Sequence, residues 1–338
     1  MGRMKLVIGA SGFLGSHVVR QLVERGESVR VLLRRTSSTR AIDDLEVERR
    51  YGDLFDDGAM RDAMEGCDDV YYCVVDARAW LRDPTDLFRT NVEGLRRVLD
   101  VAVGADLRRF VFTSTIGTIA LSEDDLATED EPFNWLDRGG AYIRSRVDAE
   151  NLVLDYARER GLPAVALCVS NTYGPGDWQP TPHGSLLAAA AAGKMPVYVK
   201  DMAMEVVGIE DAAHALILAA ERGGVGERYI ISERFISARE LYETAADAGR
   251  AKRPRFGIPL KVMYVLGFGG DVAATVLRRD MVLSRLSVRL MHIMSPMDHS
   301  KAERDLGWHP EPIHDSIRKA VQFYRSRAAA DRPASRAR

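Results

Sequence analysis

Three glycines near the start of the chain have the spacing of a turn that binds a dinucleotide. Gly9, Gly12 and Gly15 follow a short apolar run, residues 5–8, and open an amphipathic segment, residues 14–25. In such a turn the first glycine permits a tight bend, the second lets the backbone approach a pyrophosphate, and the third lets the helix pack closely on the strand. The start of the helix adds N–H donors and the positive end of its dipole. The pattern therefore predicts a dinucleotide site between a strand and a helix.

The residues that follow the second predicted strand, residues 28–33, indicate which dinucleotide binds. An acidic side chain at this place hydrogen-bonds the 2′-hydroxyl of the adenine ribose and repels a 2′-phosphate. This chain carries Arg34 and Arg35 instead, followed by the hydroxyl-bearing residues 36–38. Guanidinium groups bind phosphate oxygens through paired donors. The pattern favours NADP(H) over NAD(H), the alternative being a solvated basic pair at the end of a strand.

Apolar runs and amphipathic segments alternate along the first half of the chain. Strands are predicted over residues 5–8, 28–33, 47–51, 69–75, 109–113 and 164–169, and helices over 14–25, 57–64, 84–103 and 141–160. This alternation predicts an α/β fold with a doubly wound parallel sheet, the Rossmann arrangement, covered by helices on both faces. Such sheets bind ligands beyond the carboxyl ends of their strands.

The alternation breaks down after residue 170, where loop-forming and then helical apolar segments follow. We expect a smaller, mostly helical C-terminal substrate lobe and a tail that is rich in Ala and Arg and disordered. The predicted boundaries are 1–170 for the dinucleotide-binding domain, with returning segments at about 203–232 and 295–307, about 171–202 and 233–325 for the lobe, and 326–338 for the tail.

Composition and charge narrow the classes of function. The 338 residues carry a net charge of −2, so no general positive field attracts nucleic acid. The seven histidines show no spacing typical of metal ligands, and no metal site is expected. Cys67, Cys73 and Cys168 are odd in number and widely spaced, which favours a reducing compartment. Because the N-terminus has no signal-peptide pattern, a cytoplasmic location is expected.

One apolar segment, residues 262–277, approaches the length of a membrane span. It contains Asp271 and three glycines and is bordered by Lys261 and by Arg278-Arg279. We therefore expect no membrane span. Two interpretations stay open: a pair of helices within the substrate lobe, or a face that contacts lipid or a lipid-like substrate.

Further motifs extend along the chain. They are the Gly-x-x-Gly-Phe-x-Gly spacing, Asp53-Leu54, Asn91-Val92-Glu93-Gly94, Thr113-Ser114-Thr115, Tyr142-x-x-Ser145-Arg146, Gly174-Pro175, Asp211-Ala212, and Ser300-Lys301-Ala302 to Leu306-Gly307-Trp308. Together they resemble the extended short-chain dehydrogenase/reductases, the NAD-dependent epimerase/dehydratase family, from residue 4 to about 325. The resemblance is narrower to the branch of dihydroflavonol-4-reductase, 3β-hydroxysteroid dehydrogenase and hopanoid-associated epimerase-like proteins, through Arg78-Ala79-Trp80, Arg82-Asp83-Pro84 and Pro180-Thr181-Pro182.

The resemblance implies a set of catalytic roles. Tyr142 matches the family's acid/base tyrosine, and Thr115, or alternatively Ser114, matches the hydroxyl that orients the substrate oxygen. A phenol with a pKa near 10 needs a fixed cation nearby to become a base at neutral pH. The family supplies a lysine for this purpose, whereas this chain has Arg146. Arginine keeps the charge but is a poor proton relay.

The resemblance also implies a cofactor-binding set. Val74-Val75 and Val169 stand near the expected nicotinamide, where relatives usually have alanines and proline respectively. The set comprises Gly9, Ser11, Gly12, Phe13, Leu14, Gly15, Arg34, Arg35, Asp53, Leu54, Val74, Val75, Asp76, Asn91, Thr113, Tyr142, Arg146, Val169 and Asn171.

The expected function is an NADP(H)-dependent oxidoreductase that interconverts a carbonyl and an alcohol on an apolar small molecule, which is steroid-, polyphenol- or acyl-like. Two alternatives stay open. One is a nucleotide-sugar epimerase/dehydratase, and the other is a non-catalytic NADP(H)-binding protein, which the arginine at position 146 favours. The resemblance further implies a homodimer formed through residues 84–103 and 141–160.

Overall fold

The structure is a computed structural model, and it describes residues 4–122 and 126–330. Its strands are β1 (Met4–Ile8), β2 (Val29–Leu33), β3 (Glu48–Tyr51), β4 (Cys67–Tyr72), β5 (Arg109–Thr115), β6 (Ala164–Val169), β7 (Asn171–Tyr173), β8 (Val197–Val199), β9 (Ala203–Gly208), β10 (Arg228–Ile231), β11 (Arg234–Ser237) and β12 (Phe256–Ile258).

The helices alternate with these strands in the first half of the chain and dominate the second half. They are α1 (Phe13–Glu24), α2 (Asp57–Met64), α3 (Thr85–Phe88), α4 (Leu95–Val103), α5 (Leu136–Arg160), α6 (Pro182–Ala191), α7 (Ile209–Arg222), α8 (Ala238–Ala248), α9 (Leu260–Leu277), α10 (Arg285–Leu290), α11 (Ser300–Leu306) and α12 (Ile313–Ala330). A π-helical turn joins α3 to α4, and a 3₁₀ turn follows β5.

Seven strands form one parallel sheet in the order β10-β6-β5-β4-β1-β2-β3. The order reverses beside β1, because β2 and β3 lie on one side of it and β4, β5 and β6 on the other. At such a reversal the loops after neighbouring strands turn to opposite faces and leave a crevice. The glycine turn follows β1 and therefore lies at this crevice. The doubly wound α/β prediction is confirmed.

Helices cover both faces of the sheet, and the strands alternate between the two cores. In β1, Val7 packs with α1 and α7, whereas Leu6 and Ile8 pack with α2, α4 and α5. This alternation follows from the two-residue period of a strand. The near-continuous apolar character of β1, β2 and β6 is required because both of their faces are covered.

The second half of the chain builds the smaller lobe. A three-stranded sheet, β11-β9-β7, packs against α6, α8 and α12, and β8 pairs with β12. Within the returning segment expected at 203–232, α7 packs on the large sheet and β10 joins its edge. However, β9 does not join the large sheet, because it pairs with β7 on one side and with β11 on the other.

One other sequence-based expectation needs correction. The disordered tail, predicted from residue 326, is wrong for 326–330, because α12 continues through Ala330. There the Arg327 guanidinium donates to the carbonyl of Trp178 at 2.8 Å, which ties the end of α12 to the loop after β7. Residues 331–338 lie outside the described residues. In addition, α9 is long and apolar enough, by length and composition alone, to cross a membrane.

A buried ion pair holds α5 to the sheet. The Glu150 carboxylate lies 2.8 Å from Nε of Arg228, which is on the edge strand β10. It also accepts hydrogen bonds from the hydroxyls of Ser114 and Thr118. Arg228 in turn donates to the backbone carbonyls of Thr118 and Glu129, at 3.0 and 2.9 Å. The carboxylate of Glu150 is thereby surrounded by partners from β5, from the 3₁₀ turn after it and from β10.

Replacing Arg228 with methionine should destabilise the fold by about 3–5 kcal/mol, because Glu150 would remain buried without its counter-charge. Urea unfolding measures this loss, and Arg158→Ala, at an exposed ion pair with Asp155, is the matched control with an expected loss below about 1 kcal/mol. Adding Glu150→Gln to Arg228→Met should recover part of the stability. A double variant as unstable as the sum of both single losses would contradict the pairing.

Candidate active site

The glycine turn after β1 has the geometry of a phosphate cradle. Gly9 adopts a φ of +91°, and the N–H of Gly12 donates to its carbonyl at 3.0 Å. A Cβ on Gly15 would lie 2.3 Å from that carbonyl oxygen, so α1 can start this close to β1 only with glycine there. Within residues 4–122, no side chain caps α1 and no acidic residue lies in its first turn. Its first N–H donors thus suit an anion such as a pyrophosphate.

The predicted neighbours in the turn lie at the same crevice. Ser11, Phe13 and Leu14 are half-buried, between the end of β1 and the first turn of α1. The Phe13 ring meets the His17 ring edge-on, with 5.7 Å between centroids. This contact fixes the first turn of α1 on its inner side.

The loop after β2 presents its two arginines to solvent. Arg34 and Arg35 are exposed, and the Arg34 carbonyl accepts from the N–H of Ser37 at 2.9 Å, which closes a turn. The Arg35 guanidinium lies 5.5 Å from the centre of the Tyr51 ring at the end of β3. No hydrogen-bond or ion-pair partner of the Arg34 guanidinium is found among the described residues. Both cations stand beside the glycine turn because β2 neighbours β1.

Asp53 and Leu54 follow β3 on the same side of the sheet. The Asp53 side chain is exposed and accepts from the N–H of Phe55 at 3.1 Å. Leu54 is half-buried against the π-helical turn, where a Cβ on Gly94 would lie 3.1 Å from it. Leu54 thus forms an apolar wall, while the carboxylate of Asp53 faces water.

The loop after β4 is held in place by one buried amide. Asn91, which is 2% exposed, accepts from the N–H of Asp76 at 2.8 Å and donates to its carbonyl at 2.9 Å. The same amide donates to the Ser145 hydroxyl on α5 at 3.1 Å. Val74 before this clamp is half-buried, whereas Val75 is 46% exposed. Asn91 therefore positions the loop against α5.

Tyr142 lies in the first regular turn of α5. Gly140 has a φ of +66° and interrupts the helix, which runs regularly from Ala141. The Tyr142 phenol lies near the side-chain hydroxyl of Thr115, the last residue of β5. Burial raises the pKa of the phenol above its ordinary value, while the charge of Arg146 and the nearby Thr115 hydroxyl oppose that rise. Tyr142 and Thr115 thus form a pair of hydroxyls at the carboxyl end of the sheet.

Ser114 belongs to a different environment from Thr115. Its hydroxyl donates to the Glu150 carboxylate, two turns further along α5 than Tyr142, and its side chain is 4% exposed. The structure therefore brings Thr115, and not Ser114, to Tyr142. Of the two hydroxyls that the sequence left open, Thr115 lies beside Tyr142, whereas Ser114 is bound to Glu150.

Arg146 is buried, with 2% of its surface exposed. Its Nη2 donates to the carbonyl of Thr113 at 2.7 Å, and its guanidinium lies 5.2 Å from the centre of the Phe112 ring. Nε is also buried, and it has no hydrogen-bond partner among the described residues. At least one donor of this fixed cation therefore has no partner among the described residues, which suits a polar ligand such as a ribose hydroxyl.

The remaining predicted residues line the ends of β5, β6 and β7. The Thr113 hydroxyl lies 3.5 Å from the Cys73 sulfur, and Val169 packs into the core beside α7. The Asn171 amide donates to the Glu205 carbonyl on β9 at 3.0 Å. This bond lies within the three-stranded sheet of the smaller lobe, where β7 pairs with β9.

One residue of the site has no counterpart in the sequence-based set. His17 on α1 is buried, and its Nε2 lies 2.9 Å from the carbonyl of Pro175 in the Gly174-Pro175-Gly176 loop. Burial lowers the pKa of His17, which favours the neutral ring. A Cβ on Gly176, whose φ is +84°, would lie 3.0 Å from this nitrogen. In the sequence, His17 lies two residues after Gly15, and this spacing could have indicated a residue of the site. In the structure, His17 holds the loop of residues 174–176 over the glycine turn.

A cleft of about 580 Å³ lies between the segment after β5 and the α9–α10 region. Its lining includes Asn134, Arg138, Tyr264, Arg289 and His292, and the Tyr264 hydroxyl lies 2.8 Å from Nε2 of His292. Neither Tyr142 nor Thr115 lines this cleft. It is therefore separate from the hydroxyl pair, although Arg138 belongs to the same helix as Tyr142.

Comparison with known proteins places this arrangement in a family. Residues 5–232 match the model of the NAD dependent epimerase/dehydratase family. The chain is similar to sterol demethylase protein B of Methylococcus capsulatus, with 31% identity, 95% of this chain and 98% of that protein covered. It is also similar to a putative dihydroflavonol 4-reductase of Synechocystis, with 28% identity over 95% and 94%. A 3-beta-hydroxysteroid dehydrogenase of Mycolicibacterium neoaurum is 26% identical over 92% and 87%.

Solved structures agree with this placement. The crystal structure of the protein gox2253 superposes with a TM-score of 0.85 at 31% identity, covering 96% of this chain and 98% of that one. A UDP-glucose 4-epimerase of Thermotoga maritima shares the fold, with a TM-score of 0.77, 21% identity and coverage of 96% and 99%. The chain therefore belongs to the NAD dependent epimerase/dehydratase family, the extended short-chain dehydrogenase/reductases, whose members bind a nicotinamide dinucleotide.

Proposed function

We propose that this protein is an NADP(H)-dependent oxidoreductase that interconverts a carbonyl and an alcohol on an apolar small molecule of steroid, polyphenol or acyl type. The observation that carries the proposal is that Tyr142 lies next to the Thr115 hydroxyl, with the buried cation Arg146 four residues further along α5. The names of similar proteins, a dihydroflavonol 4-reductase and a 3-beta-hydroxysteroid dehydrogenase, support the substrate class.

The residues that would hold the dinucleotide fit it in chemical terms. The glycine turn offers N–H donors to the pyrophosphate, Arg34 and Arg35 offer cations to a 2′-phosphate, and the free Nε of Arg146 offers a donor to a ribose hydroxyl. When bound, the nicotinamide supplies or accepts the hydride. The crevice beside β1 thus divides into a phosphate end and a catalytic end.

In this proposal, side chains of the protein transfer the proton that carbonyl reduction requires. In the reductive direction, Tyr142 donates its phenolic proton to the carbonyl oxygen, which Thr115 orients through a hydrogen bond. Arg146 stabilises the phenolate that results, because a guanidinium keeps its charge. Burial raises the pKa of Tyr142, so the phenol is protonated at neutral pH and ready to act as an acid.

A second candidate function follows from the position of Arg146. Its Nη2 is bound to the Thr113 carbonyl, and its guanidinium lies over the Phe112 ring, so it is tied to β5. A cation held in this way stabilises charge but relays no proton. This observation favours a non-catalytic NADP(H)-binding protein as the alternative.

Location and assembly are further proposals. Burial raises the pKa of Cys67 and Cys73 to about 11, which keeps these free thiols unreactive and suits a reducing, cytoplasmic compartment. We also propose a homodimer formed through α4 and α5. The outer faces of these helices carry charges of both signs, such as Arg96, Asp100 and Asp148. A two-fold contact can pair such charges across the interface.

Alanine at Gly15 should abolish dinucleotide binding, because its Cβ would lie 2.3 Å from the Gly9 carbonyl oxygen and force α1 away from the turn. We expect the affinity for NADPH and NADH alike to fall more than about tenfold in a fluorescence titration. Gly104→Ala is the control, since its Cβ would meet the Val101 carbonyl at an ordinary 3.6 Å. Unchanged affinity in a folded Gly15→Ala variant would place the dinucleotide elsewhere.

NADPH should bind at least about tenfold more tightly than NADH, since charge-assisted hydrogen bonds contribute roughly 1.5–3 kcal/mol each. Changing Arg34 and Arg35 to alanine should remove this preference and leave NADH affinity within about twofold. Arg158→Ala, at an exposed arginine on α5, controls for net charge. Equal affinity of the wild type for the two dinucleotides would overturn the assignment of Arg34 and Arg35.

Tyr142→Phe should lower the rate of NADPH-dependent carbonyl reduction by roughly 10²–10⁴-fold without weakening NADPH binding. Because the acid must be protonated, wild-type activity should persist at neutral pH and fall only as the pH rises through the raised pKa of Tyr142. Arg146→Met removes a charge that lowers this pKa, so the alkaline fall should move to higher pH. The measurement is kcat/KM against pH with steroid, flavonoid and acyl ketones.

Ser114→Ala and Thr115→Val separate the two hydroxyls in the same assay. The Ser114→Ala variant should mainly lose stability, because Ser114 bonds to Glu150, whereas the Thr115→Val variant should have a lower kcat/KM.

The non-catalytic alternative has its own outcome in this assay. It would be favoured if the wild type reduced none of the steroid, flavonoid and acyl ketones and the Arg146→Lys variant gained activity.

A further inference from the structure

Helix α9 exposes most of its apolar side chains. Its 18 residues have a mean hydropathy of 1.4, and only 6% of this segment is buried. The exposed large side chains are Val262, Val265, Leu266, Phe268, Val272, Val276 and Leu277, at 41–74% exposure. At about 100° per residue they occupy roughly half of the helix circumference. Monomeric proteins rarely leave an apolar face of this extent in water.

The opposite half of α9 is held firmly to the protein. A Cβ on Gly270 would lie 1.8 Å from the Leu283 carbonyl oxygen, and one on Gly267 would lie 2.9 Å from the backbone N of Arg285. The Asp271 carboxylate accepts from Nε of Arg285 at 2.6 Å. These contacts fix the orientation of α9, so its apolar half always faces outward.

The charges around the exposed half point to its occupant. Asp271 is the one charged residue within 262–277, and it is neutralised by Arg285 on the inner side. Exposed cations border both ends of the helix, Lys261 at the start and Arg278 and Arg279 at the end. An apolar face with a basic border is the pattern of a helix that lies in the headgroup region of an anionic bilayer. We propose that α9 docks this protein on an anionic lipid surface.

A second copy of the chain fits this face less well. A two-fold axis across α9 would pair Lys261 of one copy with Arg278 and Arg279 of the other, and an axis along it would pair each cation with itself. Both arrangements place like charges together. A membrane span fits poorly as well, because the contacts of Gly267, Gly270 and Asp271 would have to break.

Docking in this orientation has a consequence for the neighbouring cleft. Tyr264, on the inner side of α9, lines the cleft of about 580 Å³ together with Arg289 and His292. The cleft would then lie next to the lipid surface, with two cationic side chains, Arg138 and Arg289, in its wall. The inference rests on α9 alone and does not depend on the proposed function.

Flotation of the full-length protein with vesicles tests the proposal. We expect binding to vesicles of phosphatidylcholine with about 30% phosphatidylserine, and much weaker binding to pure phosphatidylcholine. Lys261→Gln with Arg279→Gln should reduce partitioning by about fivefold for each cation removed. Val265→Ser with Val276→Ser should reduce it more than roughly tenfold, because both side chains, at 70% and 74% exposure, would enter the lipid.

Val225→Ser is the matched control, because Val225 is 54% exposed on a turn before β10 and should leave partitioning unchanged. NADPH affinity, measured without vesicles, should be the same in all these variants, so its loss would bear on the fold or the proposed function and not on docking. Absence of binding to anionic vesicles would overturn the proposal. So would a dimer that Val265→Ser with Val276→Ser converts to a monomer in the absence of lipid, since α9 would then bind a second copy.

Discussion

A carboxylate inside a protein is tolerated only where hydrogen bonds and an opposite charge replace its water. Glu150 is surrounded in this way by Ser114, Thr118 and Arg228, which belong to β5, the turn after it and β10. The position of α5 on the sheet depends on this interaction. Tyr142 lies eight residues earlier, two turns along the same face of the helix, with Arg146 between them. The phenol therefore meets Thr115 because Glu150 and Arg146 anchor the same face to β5 below it.

Much of this architecture follows from local pattern. The short apolar runs and the glycine spacing predict a parallel sheet with a crevice after β1, because both faces of the sheet must be covered and only glycine permits the contact at Gly15. The start of regular helix at Ala141 was likewise predictable, since Gly139 and Gly140 interrupt the pattern before it. Local spacing is informative wherever a constraint operates within one or two elements.

The rest depends on contacts between distant parts of the chain. Glu150 looks like an ordinary surface residue of a helix until Arg228, from another strand, is placed beside it. Because Glu150 is paired with Arg228 in the core, the Ser114 hydroxyl binds Glu150 there. The position of Ser114 next to Thr115 in the sequence does not reveal this difference. The strand β9 leaves the large sheet because β7 and β11 offer partners that only the folded lobe brings together. The apolar composition of α9 was evident, but its exposure follows from what packs against its other face.

The arginine at position 146 separates two functions that a lysine combines. A lysine both stabilises a phenolate and can pass a proton on, whereas a guanidinium only stabilises charge. Here the Nη2 bond to Thr113 and the Phe112 ring fix that charge in place, while the buried Nε has no hydrogen-bond partner among the described residues. Within the pair of Tyr142 and Arg146, the phenol is then the group that can gain or lose a proton, since the guanidinium keeps its charge.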